Sequence, residues 1–229
     1  MYFLFKRLMD IFLSSIGLLI LSPCLAVIAI AVKIDSDGPV IFKQKRLGLN
    51  GKEFDMYKFR TMVLNAENIG TGLFNYDNDP RVTRVGRFLR ETSIDELPQL
   101  INVIRGEMSL VGPRPPVKNE LGDYNLLNSR YKKRFQVLPG ITGLAQISGR
   151  NELPWDEKIN YDNQYVEMVK KNGLFVDIKI LLLTIINVFR KKDIYEKKVS
   201  SDINDEESAK IAALEVIAKA QEKESGSDL

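Results

Sequence analysis

From Ile11 to Val32 the chain carries no charge, a run of 22 positions. That is long enough for one helix to cross a bilayer. Ser22 and Pro23 stand at its middle, and proline in a helix interior removes a backbone donor at a cost of about 3 kcal/mol. Basic residues flank both ends: Lys6 and Arg7 before the run; Lys33, Lys43, Lys45 and Arg46 after it. Basic flanks stay on the cytoplasmic side, so both ends are expected on one face. A re-entrant helix–break–helix hairpin turning at Ser22-Pro23 satisfies this; a kinked span is the competing reading. A secretory signal fits poorly, because the apolar run is too long and Pro23 occupies a position where a lipoprotein box wants a small residue.

Beyond Gly38-Pro39 the period changes. Two β-prone runs, Val40–Lys45 and Glu53–Arg60, flank Gly48-Leu49-Asn50-Gly51 and predict a β-hairpin. Residues 65–80 are polar and glycine-containing, hence a loop. Helices are predicted over Val82–Glu91, Leu97–Ile104 (stopping at Gly106), Leu126–Gln136 and Trp155–Lys171. Gly112-Pro113-Arg114-Pro115-Pro116 and Pro139-Gly140-Ile141-Thr142-Gly143 read as turns that break the chain. Leu174–Phe189 is apolar but interrupted by Asp177 and Lys179, and Arg190-Lys191-Lys192 follows; this suits an amphipathic helix lying in a membrane interface. Ala209–Glu222 places Ile211, Leu214, Ile217 and Ala218 on one stripe behind a polar linker. The expected fold is α+β and mostly helical. Its units are a re-entrant membrane hairpin (1–37), a catalytic domain at the cytoplasmic face (38–199), and an acidic linker with a short amphipathic helix (200–229).

Charge sharpens the picture. The net charge is +3, but residues 201–229 hold eight acids against three lysines, which leaves the first 200 residues at +8. A basic body suits an anionic partner such as a phosphorylated small molecule or a lipid headgroup. Nucleic acid is disfavoured, since no basic motif is interleaved with aromatics. Histidine is absent and Cys24 is the single cysteine. Those counts exclude a serine–histidine triad, a cysteine–histidine pair, a thiolate zinc cluster and an intramolecular disulfide. Chemistry must rest on carboxylates, lysine, arginine, hydroxyls and a hard cation.

The densest chemistry lies in Arg90–Gln99, around Asp95-Glu96. One reading is local: Ser93-x-x-Glu96 forms a capping box, with Asp95 favouring the helix dipole. The other is chemical. An ionised aspartate at a helix start, where N–H groups favour phosphate oxygens, can ligate Mg2+ or attack phosphorus. Arg114 is stiffened by Pro113 and Pro115, and its planar fork suits phosphate. Arg150, Arg90, Lys58 and Arg60 are further anion-binding candidates, although any single arginine is more often a solvated or paired surface group.

Taken together, Lys6-Arg7-x-x-Asp10, Ser22-Pro23, Phe42-x-Gln44-x-Arg46-x-Gly48, Tyr57–Met62, Asp95–Gln99, Gly112–Pro115 and Pro139–Gly143 resemble the bacterial sugar transferases, the monotopic phosphoglycosyl transferases. The resemblance covers about residues 1–195. It implies transfer of a sugar-1-phosphate from a UDP-sugar to polyprenyl (undecaprenyl) phosphate, with release of UMP. It further implies Asp95 as the nucleophile of a covalent phosphosugar intermediate, Glu96 as its acid/base partner and Mg2+ at Asp95. Arg114 and Arg150 would hold phosphate or nucleotide, Arg90 matching less closely. Ser22-Pro23 would be the membrane break, and the site would face the cytoplasm at the bacterial inner membrane. The C-terminal stretch lies outside the resemblance and is expected to dock a pathway partner or a second copy, or to be dispensable. Two other functions compete: a membrane-anchored glycosyltransferase releasing UDP, and a non-catalytic adaptor acting through its acidic tail.

Overall fold

A computed structural model describes residues 2–69, 79–118, 120–149 and 153–189. The polypeptide opens with α1 (Tyr2–Asp35), then β1 (Ile41–Leu47) and β2 (Glu53–Phe59) form an antiparallel hairpin. Next come α2 (Arg84–Glu91), α3 (Gln99–Arg105), β3 (Ser109–Val111), α4 (Ser129–Lys132), β4 (Gly140–Thr142), α5 (Leu144–Ser148), α6 (Trp155–Asn172) and α7 (Leu174–Phe189). The fold is thus α+β and mostly helical, with the expected hairpin. The region foreseen as one helix over Leu126–Gln136 is instead short α4 between two 3-10 turns.

Helix α1 runs through Ser22-Pro23 without interruption, so two separate helices are not seen. The local chemistry explains how. Pro23 cannot donate to the Leu19 carbonyl, its i−4 partner, and the Ser22 hydroxyl donates to that carbonyl at 2.8 Å instead.

Both ends of α1 are fastened to the same folded body. Near its start, Lys6 pairs with buried Asp177 of α7 at 3.1 Å, and the Tyr2 hydroxyl donates to the same carboxylate at 2.8 Å. Arg7 donates to the Val103 and Ile104 carbonyls at 2.6 and 2.8 Å, closing the exposed end of α3. Asp10 accepts from the Leu110 amide at 3.1 Å. Near its end, Val32 packs with Phe59 and Leu89 in a buried cluster, and Asp35 accepts from the Val85 amide, capping α2 at 2.9 Å. Asp177, which interrupts the apolar run of α7, faces inward and binds Tyr2, Lys6 and Tyr165. The outer face of α7 is left apolar: Phe175, Ile178, Leu182, Ile185 and Ile186 are all exposed. Ile101 and Ile104 of α3 and much of α1 are exposed too, so these helices present a broad apolar surface, consistent with membrane association.

The two turns foreseen at 112–116 and 139–143 meet each other. β3 pairs in parallel with β4, and Gly112, Gly140 and Gly143 touch backbone to backbone. A Cβ on Gly140 would stand 2.0 Å from the Gly112 nitrogen, and one on Gly143 would stand 2.1 Å from the Gly112 oxygen. Only glycine permits that approach. A core of Val111, Val137, Tyr165, Val166, Val169, Val176 and Ile180 packs alongside the junction.

Candidate active site

The hairpin supplies the first wall. Its register pairs Phe42 with Lys58, Gln44 with Met56 and Arg46 with Phe54. Alternation then puts Phe42, Gln44, Arg46 and Lys58 on one face, the face that lines a cavity of about 740 Å³. Such a volume suits a small-molecule ligand. Asp95 and Glu96 enter the same cavity from a single 3-10 turn, Ile94–Glu96, between α2 and α3. Arg114 enters from the proline-rich turn after β3, and Arg90 from the last turn of α2.

The capping-box reading of Ser93 and Glu96 does not hold. Ser93 adopts φ 57°, a left-handed conformation, and makes no side-chain cap. A non-glycine residue there costs on the order of 1 kcal/mol, and such outliers gather at functional sites. Glu96 is drawn across the cavity instead. Its carboxylate accepts from Lys58 at 2.8 Å and from Arg114 at 2.9 Å. The left-handed kink at Ser93 turns the next residues inward, so that Asp95 is only 8 % exposed.

The two neighbouring carboxylates are held in opposite states. Burial pushes the Asp95 carboxyl up to about 6, against the pull of Lys58. Burial also acts upward on Glu96, but Arg114 and Lys58 outweigh it and hold that carboxyl well below the usual range. Among the described residues Asp95 makes no hydrogen bond or ion pair, which leaves its oxygens available to a ligand. Glu96, ionised throughout neutral pH, is suited to fixing two cations rather than exchanging a proton. Burial draws the Lys58 ammonium below its ordinary value, against the pull of Glu96. Among the described residues, seven lysines and arginines against four carboxylates (Asp95, Glu96, Glu120 and Asp162) leave the cavity lining net positive, as a polyanion requires.

The other sequence candidates fall as follows. Arg90 donates to Thr61 at 2.8 Å and acts electrostatically on Asp95. Arg60 also borders the cavity, but its guanidinium donates to Val32 and Ser36 carbonyls at the end of α1 and to the Pro39 carbonyl. Its bonds therefore fasten a helix end. Arg150 lies outside the described residues, as does the 200–229 segment. Sequence reasoning missed Arg46, Arg134 and Asp162, all of which line the cavity. The i, i+2 spacing of Gln44 and Arg46 across from Lys58 was the available signal for Arg46; nothing marked Arg134 among the other arginines.

A family model of bacterial sugar transferases matches residues 1–191. The chain belongs to the bacterial sugar transferase family. Among curated relatives of this family, a UDP-glucose:undecaprenyl-phosphate glucose-1-phosphate transferase of Klebsiella pneumoniae is 47% identical over 196 residues. That match takes in 83% of this chain and 41% of the relative. An undecaprenyl-phosphate galactose phosphotransferase of Salmonella typhimurium is 42% identical, covering 83% of this chain and 41% of the relative. The exopolysaccharide production protein ExoY of Rhizobium meliloti is 41% identical, covering 79% of this chain and 83% of the relative. The chain thus spans about two fifths of the length of the first two and most of the third. The sugar transferase match takes in Asp95, Glu96, Lys58 and Arg114 together with the whole of α1 and α7.

Proposed function

We propose that this sugar transferase moves a sugar-1-phosphate from a UDP-sugar to polyprenyl phosphate, releasing UMP and leaving a polyprenyl-diphosphate sugar. The observation that carries the reading is the pairing of a free, buried Asp95 with a cluster of fixed cations in a single cavity. The printed activities of the Klebsiella and Salmonella relatives support the donor and acceptor classes.

In this reading the chemistry runs in two displacements. A carboxylate oxygen of Asp95 bonds to the β-phosphorus of the donor, and the bond from that phosphorus to the bridging oxygen breaks. The electron pair leaves with UMP, whose new charge faces Arg114 and Lys58. A phosphate oxygen of the polyprenyl acceptor then bonds to the same phosphorus, and the Asp95 oxygen–phosphorus bond breaks. Because UMP departs before the acceptor reacts, one cationic pocket serves both phosphates in turn. Glu96 keeps Lys58 and Arg114 aimed at that point.

Magnesium belongs to the same proposal. No group of three or more carboxylates gathers among the described residues, and Glu96 is held by its two cations. Asp95 would supply the protein oxygen, with water and the donor's phosphates completing the shell, which is how Mg2+ usually binds. The ion would supply further neutralisation of the diphosphate.

The membrane arrangement supports a site at headgroup depth. Both ends of α1 grip one body, which favours a helix that enters and leaves on the same side, the cytoplasmic face of the bacterial inner membrane. The exposed faces of α3 and α7 would then rest among the lipids.

The test is the nucleotide released. Protein in nanodiscs with Mg2+, undecaprenyl phosphate and a panel of UDP-sugars should release UMP with the right donor, and Asp95→Asn should not. Release of UDP would overturn the proposal in favour of sugar-only transfer. No nucleotide from any donor, with glycan production unaffected by Asp95→Asn in cells, would favour an adaptor.

A further inference from the structure

The turn that carries Arg114 is unusual in its hydrogen bonding. Pro113, Pro115 and Pro116 have no N–H to give, so the segment offers acceptors and almost no donors. All four of its consecutive carbonyls are nevertheless met from outside. The Pro113 carbonyl accepts from the Gly140 amide at 2.9 Å, and the Pro116 carbonyl from the Leu47 amide at 3.1 Å. The middle two accept from guanidinium groups: Arg114 from Arg134 at 2.5 Å, and Pro115 from Arg46 at 2.9 Å.

Each of these guanidinium groups is itself fixed. The Gln44 side-chain oxygen accepts from Arg46 twice, from Nε at 3.1 Å and from Nη2 at 2.6 Å. Arg134 is ion-paired to Asp162 at 3.0 Å, with both side chains 2% exposed, and stacks near the Trp155 and Phe135 rings. Burying guanidinium charge is costly, and a turn needing only to reverse the chain would not require it. Arg114 itself is loosely packed: its side chain is 38% exposed. Its direction therefore comes from its backbone together with its carboxylate partner, Glu96, at 2.9 Å.

We infer that Arg46 and Arg134 are positioning residues, which lock the Pro113–Pro116 turn so that Arg114 meets Glu96 and the donor's diphosphate. The inference rests on the proposed reaction and assigns positioning roles to two residues that border the same cavity. Arg46 acts through the Pro115 carbonyl and Arg134 through the Arg114 carbonyl. Arg46 joins Gln44 to the turn through different nitrogens of its planar fork, which a lysine lacks, and Arg134 reaches both Asp162 and the turn with Nη2, at the far end of a side chain longer than lysine's. Burial lowers the Arg46 guanidinium to about 10, which leaves it charged at neutral pH and able to hold its carbonyl.

A double-mutant cycle separates positioning from direct contact. UMP release is measured for the wild type, Arg46→Lys, Arg114→Ala and the double variant, and likewise with Arg134→Lys. With Arg114 present, each lysine variant should lower kcat/KM about tenfold or more, since small misplacements of a catalytic group are that costly. In the Arg114→Ala background the same change should cost less than about twofold. Losses that multiply would overturn the inference, because they would mean direct contact with the donor or general loosening of the fold. A second readout needs no activity: the rate at which phenylglyoxal modifies Arg114, mapped by mass spectrometry in wild type, Arg46→Lys and Arg134→Lys. It should rise severalfold in the lysine variants, and an unchanged rate would also overturn the inference. If the wild type releases no UMP, the donor reaction fails while the labelling still decides the mount. Should Arg134→Lys fail to fold, Arg46→Lys decides alone.

Discussion

If Asp95 is the nucleophile, its raised pKa predicts how the first displacement depends on pH. Burial lifts the carboxyl from an ordinary 3.8 to about 6. At pH 7 roughly nine tenths of it is ionised, and at pH 5 roughly one tenth. The attacking form thus falls nearly tenfold across that interval, whereas an aspartate at 3.8 would lose under a tenth. Glu96 adds nothing to the profile in this window, since Arg114 and Lys58 overcome its burial and keep it ionised. The assay is single-turnover UMP release at limiting donor without acceptor, from pH 5 to 8, which reports groups of the free enzyme. Asp162 is a possible confounder: burial pushes it to about 6 as well, against Arg134. In Asp162→Asn the overall rate should fall, because Arg134 loses its partner, but the midpoint should stay near 6. A rate that changes less than twofold between pH 7 and 5, or a midpoint that vanishes in Asp162→Asn, would refute the assignment to Asp95.

Other outcomes follow from the same structure. Asp95→Asn should be inactive yet more resistant to unfolding at pH 7, by about 3 kcal/mol. A carboxyl raised on folding contributes its stability below about pH 4 and loses it as pH rises through 6, so a denaturation midpoint no higher than wild type at pH 7 would contradict this. Arg60→Met should lower the free energy of unfolding by at least about 2 kcal/mol, because carbonyls at the end of α1 lose a charged donor; a sharp rise in donor KM with unchanged stability would instead put that guanidinium on phosphate. In a Cys24→Ser background, cysteines placed at Tyr2 and Ser36 should both escape an impermeant thiol reagent applied outside intact cells, and labelling at one end alone would indicate a span. Phe175→Asp with Leu182→Asp should weaken vesicle flotation while leaving the detergent-solution midpoint unchanged, as each side chain gives about 1.5–3 kcal/mol when buried in apolar surroundings; a collapsed midpoint would mean that these residues belong to the core.

The parts legible in the sequence were those with a sustained period. α1, the hairpin, α6 and α7 each repeat their pattern over seven residues or more and lie close to their expected places, although α1 lacks the break expected at Ser22-Pro23. The β3–β4 pair was invisible, because two tripeptides separated by some thirty residues carry no period, and the glycines that let them meet look like ordinary turn glycines. Asp95-Glu96 stood out by composition and motif. The local capping rule failed there because long-range cations, Lys58 and Arg114, compete for Glu96 more strongly than its own helix end does. Arg60 and Lys58 looked alike in sequence, yet one bonds the end of α1 and the other bonds Glu96. Which job an arginine takes depends on what the fold brings to it, and that information is not local.

The hydroxyl of Ser22, bonded to the Leu19 carbonyl that Pro23 leaves bare, has a meaning that depends on the medium. In water, an abandoned carbonyl is hydrated at once and the serine contributes little. Among hydrocarbon tails nothing else is there to bond it, and the same carbonyl costs several kcal/mol. In a helix that enters hydrocarbon, this serine would carry a stand-in for a water molecule to the depth where water is missing. Replacing Ser22 by alanine should be close to silent in water and severe in a bilayer, which would make the importance of this residue a property of the solvent as much as of the protein.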